Sequence, residues 1–234
     1  MAESMVLYWG SGSPPCWRVM IVLEEKQLQG YTQHRLSFEN GKHKTPEVMK
    51  LNPRGQLPTF CHGDIILNES FGVCLYLENQ FNSQGTRLFP DSREEQGLTY
   101  QRMFEVLTLQ EKIDAIVYYF WKVPENERCD SALERNKKAL NVELKLWEGY
   151  FEKLPQGSHI AGKNFTMADV MLFPQLAYAV RFGRPVQRRN KPSIAHAAIF
   201  SANSGRSKMS GGLASPNEPS SARTLATSGV SMRL

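Results

Sequence analysis

The chain has 234 residues, of which 41% are hydrophobic, enough apolar material for one large domain or two small ones. Its net charge of +5 comes from 28 basic and 23 acidic residues, but residues 184 to 234 hold 8 of the basic and 1 of the acidic ones, leaving 20 against 22 in residues 1 to 183. The body therefore gives no reason to expect a nucleic-acid partner. No signal peptide, membrane span or membrane partner is expected, and four cysteines, Cys16, Cys61, Cys74 and Cys129, without C-x-x-C or Cys/His metal spacing fit a reducing, cytoplasmic setting.

Met5–Trp9 is a short apolar run ended by Gly10-Ser11-Gly12-Ser13-Pro14-Pro15, the pattern of a strand followed by a loop. From Cys16, helical spacing of Trp17, Val19, Met20, Val22 and Leu23 continues to Gln29-Gly30, which predicts a helix. Residues 31 to 38 read as a second strand, and residues 45 to 51 as a short helix ending at Asn52-Pro53. Residues 57 to 61 and 64 to 67 flank His62-Gly63 as a tight hairpin. A further helix starts at Asn68-Glu69-Ser70 and carries Phe71, Val73, Cys74, Leu75 and Leu77. This order of strand, helix, strand, helix, strand, strand and helix is the α/β thioredoxin-like arrangement, expected over residues 1 to 81.

Residues 82 to 92 form a polar linker. Beyond it the pattern is all-α over residues 93 to 183: Met103, Val106, Leu107, Ile113, Ile116, Val117 and Phe120 are expected on one face, Leu140, Leu144, Trp147, Phe151 and Leu154 on another. Thr166-Met167-Ala168-Asp169 predicts a capping box, with the threonine hydroxyl accepting the Asp169 N–H and the carboxylate reaching back to Thr166. Phe165 and Val170 are placed for a hydrophobic staple. After Gly183, ten of 51 residues are serine and none is tryptophan, tyrosine, cysteine or aspartate. Residues 184 to 234 are thus expected to be a disordered basic tail, which leaves the helical domain truncated.

The chemically informative string is Ser13-Pro14-Pro15-Cys16 at a strand-to-helix junction. Thioredoxin-like oxidoreductases carry C-x-x-C there because a helix N-terminus stabilises a thiolate. Serine in the first place cannot exchange disulfides, but its hydroxyl can donate to a thiolate brought by another molecule. Alternatively Ser13 only caps the helix, or Ser11 supplies the hydroxyl. Cys16, one turn inside, reads as a buried small hydrophobe.

The string Asn52-Pro53-Arg54-Gly55-Gln56-Leu57-Pro58-Thr59, followed by Asn68-Glu69-Ser70, resembles the glutathione-binding half of cytosolic glutathione transferases. Ser13 lies where the theta and zeta classes carry their catalytic serine, and residues 164 to 169 resemble the capping box of the family's helical domain. The segment from Tyr8 to Arg18 is most similar to the rho class. The resemblance covers residues 5 to 183. It implies a cis Leu57-Pro58 bond, with the Leu57 N–H and C=O meeting the cysteinyl backbone of glutathione like an added strand. It implies Glu69 for the ligand's ammonium, Ser70 and the free N–H groups of its helix for the γ-glutamyl carboxylate, Gln56 for the tripeptide backbone, and His43 and Lys44 for the glycyl carboxylate.

Tyr118, Phe120 and Trp121, ending the first long helix, are expected near the electrophile pocket. The implied reaction is conjugation of glutathione thiolate, as co-substrate and without metal or other cofactor, to hydrophobic electrophiles in detoxification, by a homodimer. The rival reading is a glutathione-fold binding or interaction protein with little or no transferase activity, because the family's later helices are replaced by the tail. Thiol exchange through Cys16, a third reading, lacks the first cysteine of the redox pair.

Overall fold

The computed structural model describes residues 4 to 182; the expected tail and its boundary lie outside them. A four-stranded sheet forms in the order β2-β1-β3-β4 from β1 (Met5–Trp9), β2 (Thr32–Arg35), β3 (Thr59–His62) and β4 (Ile65–Asn68). β1 pairs parallel with β2 and antiparallel with β3, and β3 pairs antiparallel with β4. The register sets Leu7 opposite Phe60, and both are fully buried. β2 is shorter than its expected span, and all four of its residues are exposed.

Helix α1 (Pro14–Glu25) buries Cys16, Val19, Val22 and Leu23. It stops before the expected Gly30, because Lys26 caps it and Gln27 turns into left-handed backbone at φ 54°. The short α2 (Pro46–Leu51) and α3 (Ser70–Gln80) complete this unit, which is the thioredoxin-like arrangement.

The second unit is helical: α4 (Arg93–Val117), α5 (Tyr119–Lys122), α6 (Asp130–Glu152) and α7 (Met167–Phe182). α4 buries Met103, Val106, Leu109 and Ile113, so the expected face was drawn too wide. Leu107 and Phe120 are 46% and 55% exposed. Phe120 is not on that helix at all, since α4 ends at Val117 and Phe120 belongs to α5.

The capping box differs in one bond. Asp169 Oδ2 accepts the Thr166 N–H at 2.9 Å, but the Thr166 hydroxyl donates to the same carboxylate at 3.0 Å instead of accepting from Asp169. The other carboxylate oxygen takes the Ile160 N–H at 3.1 Å. A buried carboxylate needs donors, and three converge here.

The segment expected as a linker is strapped down. Lys26 Nζ and Glu78 Oε2 form a fully buried ion pair at 2.6 Å, and Glu78 Oε1 also accepts the Leu88 N–H at 3.0 Å. Gln84 Nε2 donates to Lys26 O at 2.8 Å. At Gly85 (φ 63°) a Cβ would come within 2.1 Å of Glu25 O, so glycine is required for the close approach.

Truncating one partner of a buried pair leaves an uncompensated charge. Glu78→Leu is expected to cost about 3 to 5 kcal/mol, and Lys26→Met combined with Glu78→Leu only about 1 to 3 kcal/mol for the orphaned Leu88 N–H. Urea unfolding midpoints of the three proteins check this; a double variant no more stable than Glu78→Leu would contradict it.

Candidate active site

Ser13 caps α1 in extended conformation, and its Oγ accepts the Cys16 N–H at 3.4 Å. A hydroxyl has two lone pairs and one hydrogen, so capping leaves the hydrogen available. The capping and donor roles are therefore compatible. Ser13 is half-buried, while Ser11 is exposed in the preceding turn. Cys16 is fully buried; burial pushes its thiol up to about 11, outweighing the hydrogen bond its Sγ accepts from the Gly10 N–H.

The loop before β3 is shaped by Asn52, which is 3% exposed. Its Nδ2 donates to Gln56 O at 2.8 Å, and its Oδ1 accepts the Arg54 N–H at 3.1 Å. The Leu57-Pro58 peptide is cis. The Leu57 side chain is buried, while neither its N–H nor its C=O has a hydrogen-bond partner among the described residues.

Across the loop, Asn68 at the end of β4 donates to Leu51 O at 3.1 Å and accepts from Thr59 Oγ1 at 3.1 Å. Glu69 follows at φ 66°, ψ 110° as the cap of α3. A non-glycine residue there stores about 1 to 3 kcal/mol of backbone strain. The Glu69 carboxylate is 70% exposed and lies 4.0 Å from Arg54 Nη1. Ser70 is buried, and its Oγ accepts from Arg18 Nη1 at 3.3 Å.

His43 and Lys44 sit in a 3-10 turn, Lys42–Lys44. A Cβ at Gly55 would meet Lys44 Cγ at 3.2 Å and the His43 carbonyl at 3.5 Å, so this turn lies directly against the loop carrying Gln56. The His43 ring stands edge-on to Phe38 with centroids 5.0 Å apart. Gln56 itself is exposed.

Of the three residues expected near an electrophile pocket, Tyr118 is half-buried and accepts from Tyr178 of α7 at 2.8 Å. Burial raises both phenols, and Asp114 adds to the effect. Trp121, 5.6 Å from Tyr118 between centroids, is 82% exposed, and the Arg128 guanidinium covers Phe120 at 5.6 Å. Among the described residues no His, Cys, Asp or Glu cluster suited to a metal occurs, and no helix is long and apolar enough to cross a membrane.

Sequence reasoning assigned no role to Arg18, Asn52, Arg54 or Tyr178. Arg18 carried a signal: it lies four residues before Val22 on the apolar face of its helix, where a charge needs partners.

Residues 12–80 match the family model described as glutathione S-transferase, N-terminal domain. The chain is 61% identical over 188 residues to glutathione S-transferase A of Pleuronectes platessa, covering 80% of this chain and 83% of that protein. The crystal structure of a glutathione S-transferase from the Antarctic clam Laternula elliptica superposes with a TM-score of 0.70 at 38% identity, covering 85% of each chain. The glutathione transferase URE2P6 of Phanerochaete chrysosporium, solved in complex with oxidized glutathione, superposes with a TM-score of 0.67 at 25% identity over 86% of this chain and 88% of that one. The chain belongs to the glutathione S-transferase family.

Proposed function

We propose that the protein conjugates glutathione to hydrophobic electrophiles in detoxification, as a serine-type transferase of the rho class acting in the cytoplasm without metal or other cofactor. The observation that carries this reading is Ser13: a half-buried hydroxyl at a helix N-terminus whose hydrogen is left for a thiolate. A free thiol near pKa 8.5 is mostly protonated at neutral pH. The Ser13 hydrogen bond and the α1 dipole favour the thiolate, which then attacks the electrophile and expels its leaving group.

Glutathione lies across the loop described above. Its cysteinyl backbone pairs with the unpartnered Leu57 N–H and C=O beside Pro58, completing a strand-like contact. Glu69 takes the ammonium, Ser70 and the first turn of α3 the γ-glutamyl carboxylate. Gln56, with His43 and Lys44 across the Gly55 contact, faces the glycyl end. The electrophile sits toward Tyr118, with Phe120 and Trp121 at its outer margin.

A second copy of the chain covers β4 and α4. Ile65 and Ile66 on the edge strand and Tyr100, Phe104 and Leu107 on α4 are 44 to 55% exposed. Phe104 stacks on Phe71, the residue after Ser70, with centroids 6.3 Å apart. Exposed apolar side chains of this kind suit a dimer interface. Thiol exchange through Cys16 is disfavoured by its burial and raised pKa.

Ser13→Ala is expected to keep glutathione affinity and lower kcat by about 10² to 10³, while loss of the cap costs about 1 kcal/mol of stability. Steady-state kinetics with 1-chloro-2,4-dinitrobenzene check this, and a full effect of Ser11→Ala instead would move the role to Ser11. Glu69→Gly separates strain from binding. It is expected to raise stability by about 1 kcal/mol by relieving the positive φ, while Glu69→Ala gives no such gain. Both weaken glutathione about ten-fold, as read by thermal melts and calorimetry. Cys16 and Cys74 are expected to resist iodoacetamide at pH 8, whereas exposed Cys129, whose thiol is lowered by its hydrogen bond to Ser131, is alkylated first. Peptide mass mapping reads the order.

A further inference from the structure

Arg54 and Glu69 make an ion pair that fold stability does not explain. Nη1 and Oε1 are 4.0 Å apart with the side chains 71% and 70% exposed, so solvent screens most of their attraction. Their backbones are nonetheless held firmly. The Arg54 N–H is bound to Asn52 Oδ1 at 3.1 Å, and the next residue, Gly55, donates its N–H to Asn52 O at 2.8 Å. Glu69 is fixed at positive φ next to Asn68, whose amide ties β4 to Leu51 and Thr59. Two opposite charges thus project, solvent-exposed at their paired tips and fixed at their roots, beside the N-terminus of α3.

An α-amino acid end group carries an ammonium and a carboxylate on one carbon. It can exchange into such a pair with charges matched: its ammonium to the carboxylate, its carboxylate to the guanidinium. The pair is weak because it is exposed, so opening it costs little. Arginine suits the task because its planar fork meets a carboxylate with two parallel N–H donors. The first-turn N–H groups of α3 favour an anion at the same place.

We propose that Arg54 is a second charge-recognition residue of the glutathione site, binding the α-carboxylate of the γ-glutamyl unit while Glu69 binds its ammonium. Before the ligand arrives, each charge occupies the other. This assignment rests on the glutathione reading above and adds a residue to it. It makes a prediction of sign. A residue that only neutralises Glu69 competes with the ligand's ammonium, so removing it strengthens binding; a residue that also holds the carboxylate weakens binding when removed.

The test is calorimetry on the full chain with three peptides: glutathione, 4-aminobutyryl-cysteinyl-glycine, which lacks the α-carboxylate, and glutaryl-cysteinyl-glycine, which lacks the ammonium. Arg54→Gln is expected to raise the Kd for glutathione about ten-fold and to leave that for the aminobutyryl peptide unweakened, with Arg54→Lys recovering part of the loss. Thermal melts establish that each variant is folded. An unchanged or lower Kd for glutathione in Arg54→Gln overturns the assignment, as does an equal loss for glutathione and the aminobutyryl peptide. Wild-type protein that binds none of the three overturns the glutathione reading itself and this assignment with it.

Discussion

The buried guanidinium of Arg18 ties the two units together. It is 1% exposed, and among the described residues no carboxylate is in ion-pair contact with it. An uncompensated buried cation is costly, and the cost is met by neutral acceptors from three other helices. Nε donates to Met171 O of α7 at 3.3 Å, Nη1 to Ser70 of α3 at 3.3 Å, and Nη2 to Gln110 of α4 at 2.8 Å and Gln175 of α7 at 3.3 Å. The plane lies over Phe71 at 5.0 Å. Desolvation brings its pKa down to about 10, so the group stays charged at neutral pH. The same helix carries Ser13 and the same acceptor set includes Ser70, so this side chain adds to the core packing that sets the candidate hydroxyl donor relative to α3.

A second layer of support is made of amides. Asn52 and Asn68 hold the two loops that flank the cis proline, and neither carries a charge. A buried amide can satisfy its hydrogen bonds locally with little dependence on pH, so the loop that presents Leu57 keeps its shape whatever the charges above it do. The ionisable groups, Glu69, Arg54, His43 and Lys44, are carried on that frame, mostly in contact with solvent. Such a division separates what must be rigid from what must exchange partners.

Much of this was legible in the sequence, and the exceptions have physical causes. Short runs bounded by turn residues located the strands, helical spacing located the helices, and the cap residues located several of their starts, because these signals are local. The boundaries of α1 and α4 were misjudged where local rules gave no warning: Gln27 takes a left-handed turn without glycine, and α4 breaks before Tyr118 with no proline. The docking of the segment after α3 was invisible because it depends on the lysine that caps α1 meeting a glutamate in α3, 52 positions along the chain. In the site, Ser13 stood out because its residue type at a strand-to-helix junction matched a chemistry, and Glu69 and Ser70 through the family resemblance. Arg54 and Asn52 did not, since the proposed role of the first and the hydrogen bonds of the second exist only once the chain is folded.

The contrast between Ser13 and Cys16 shows how position at one helix end decides reactivity. Both sit in the first turn's field, which favours an anion. Cys16 Sγ accepts the Gly10 N–H at 3.5 Å, yet its pKa rises, because complete burial removes more hydration than that bond returns. The Cys16 thiol is thereby kept protonated and inert. Ser13, half-buried at the mouth of the same turn, keeps its hydrogen and some access to solvent. In the proposed reaction a thiolate from outside meets the hydroxyl and the dipole at this margin without being forced into the dry interior. On the proposed reading, placing the nucleophile on a ligand, and only its hydrogen-bond donor on the protein, lets one helix terminus stabilise a thiolate without exposing a reactive cysteine of its own.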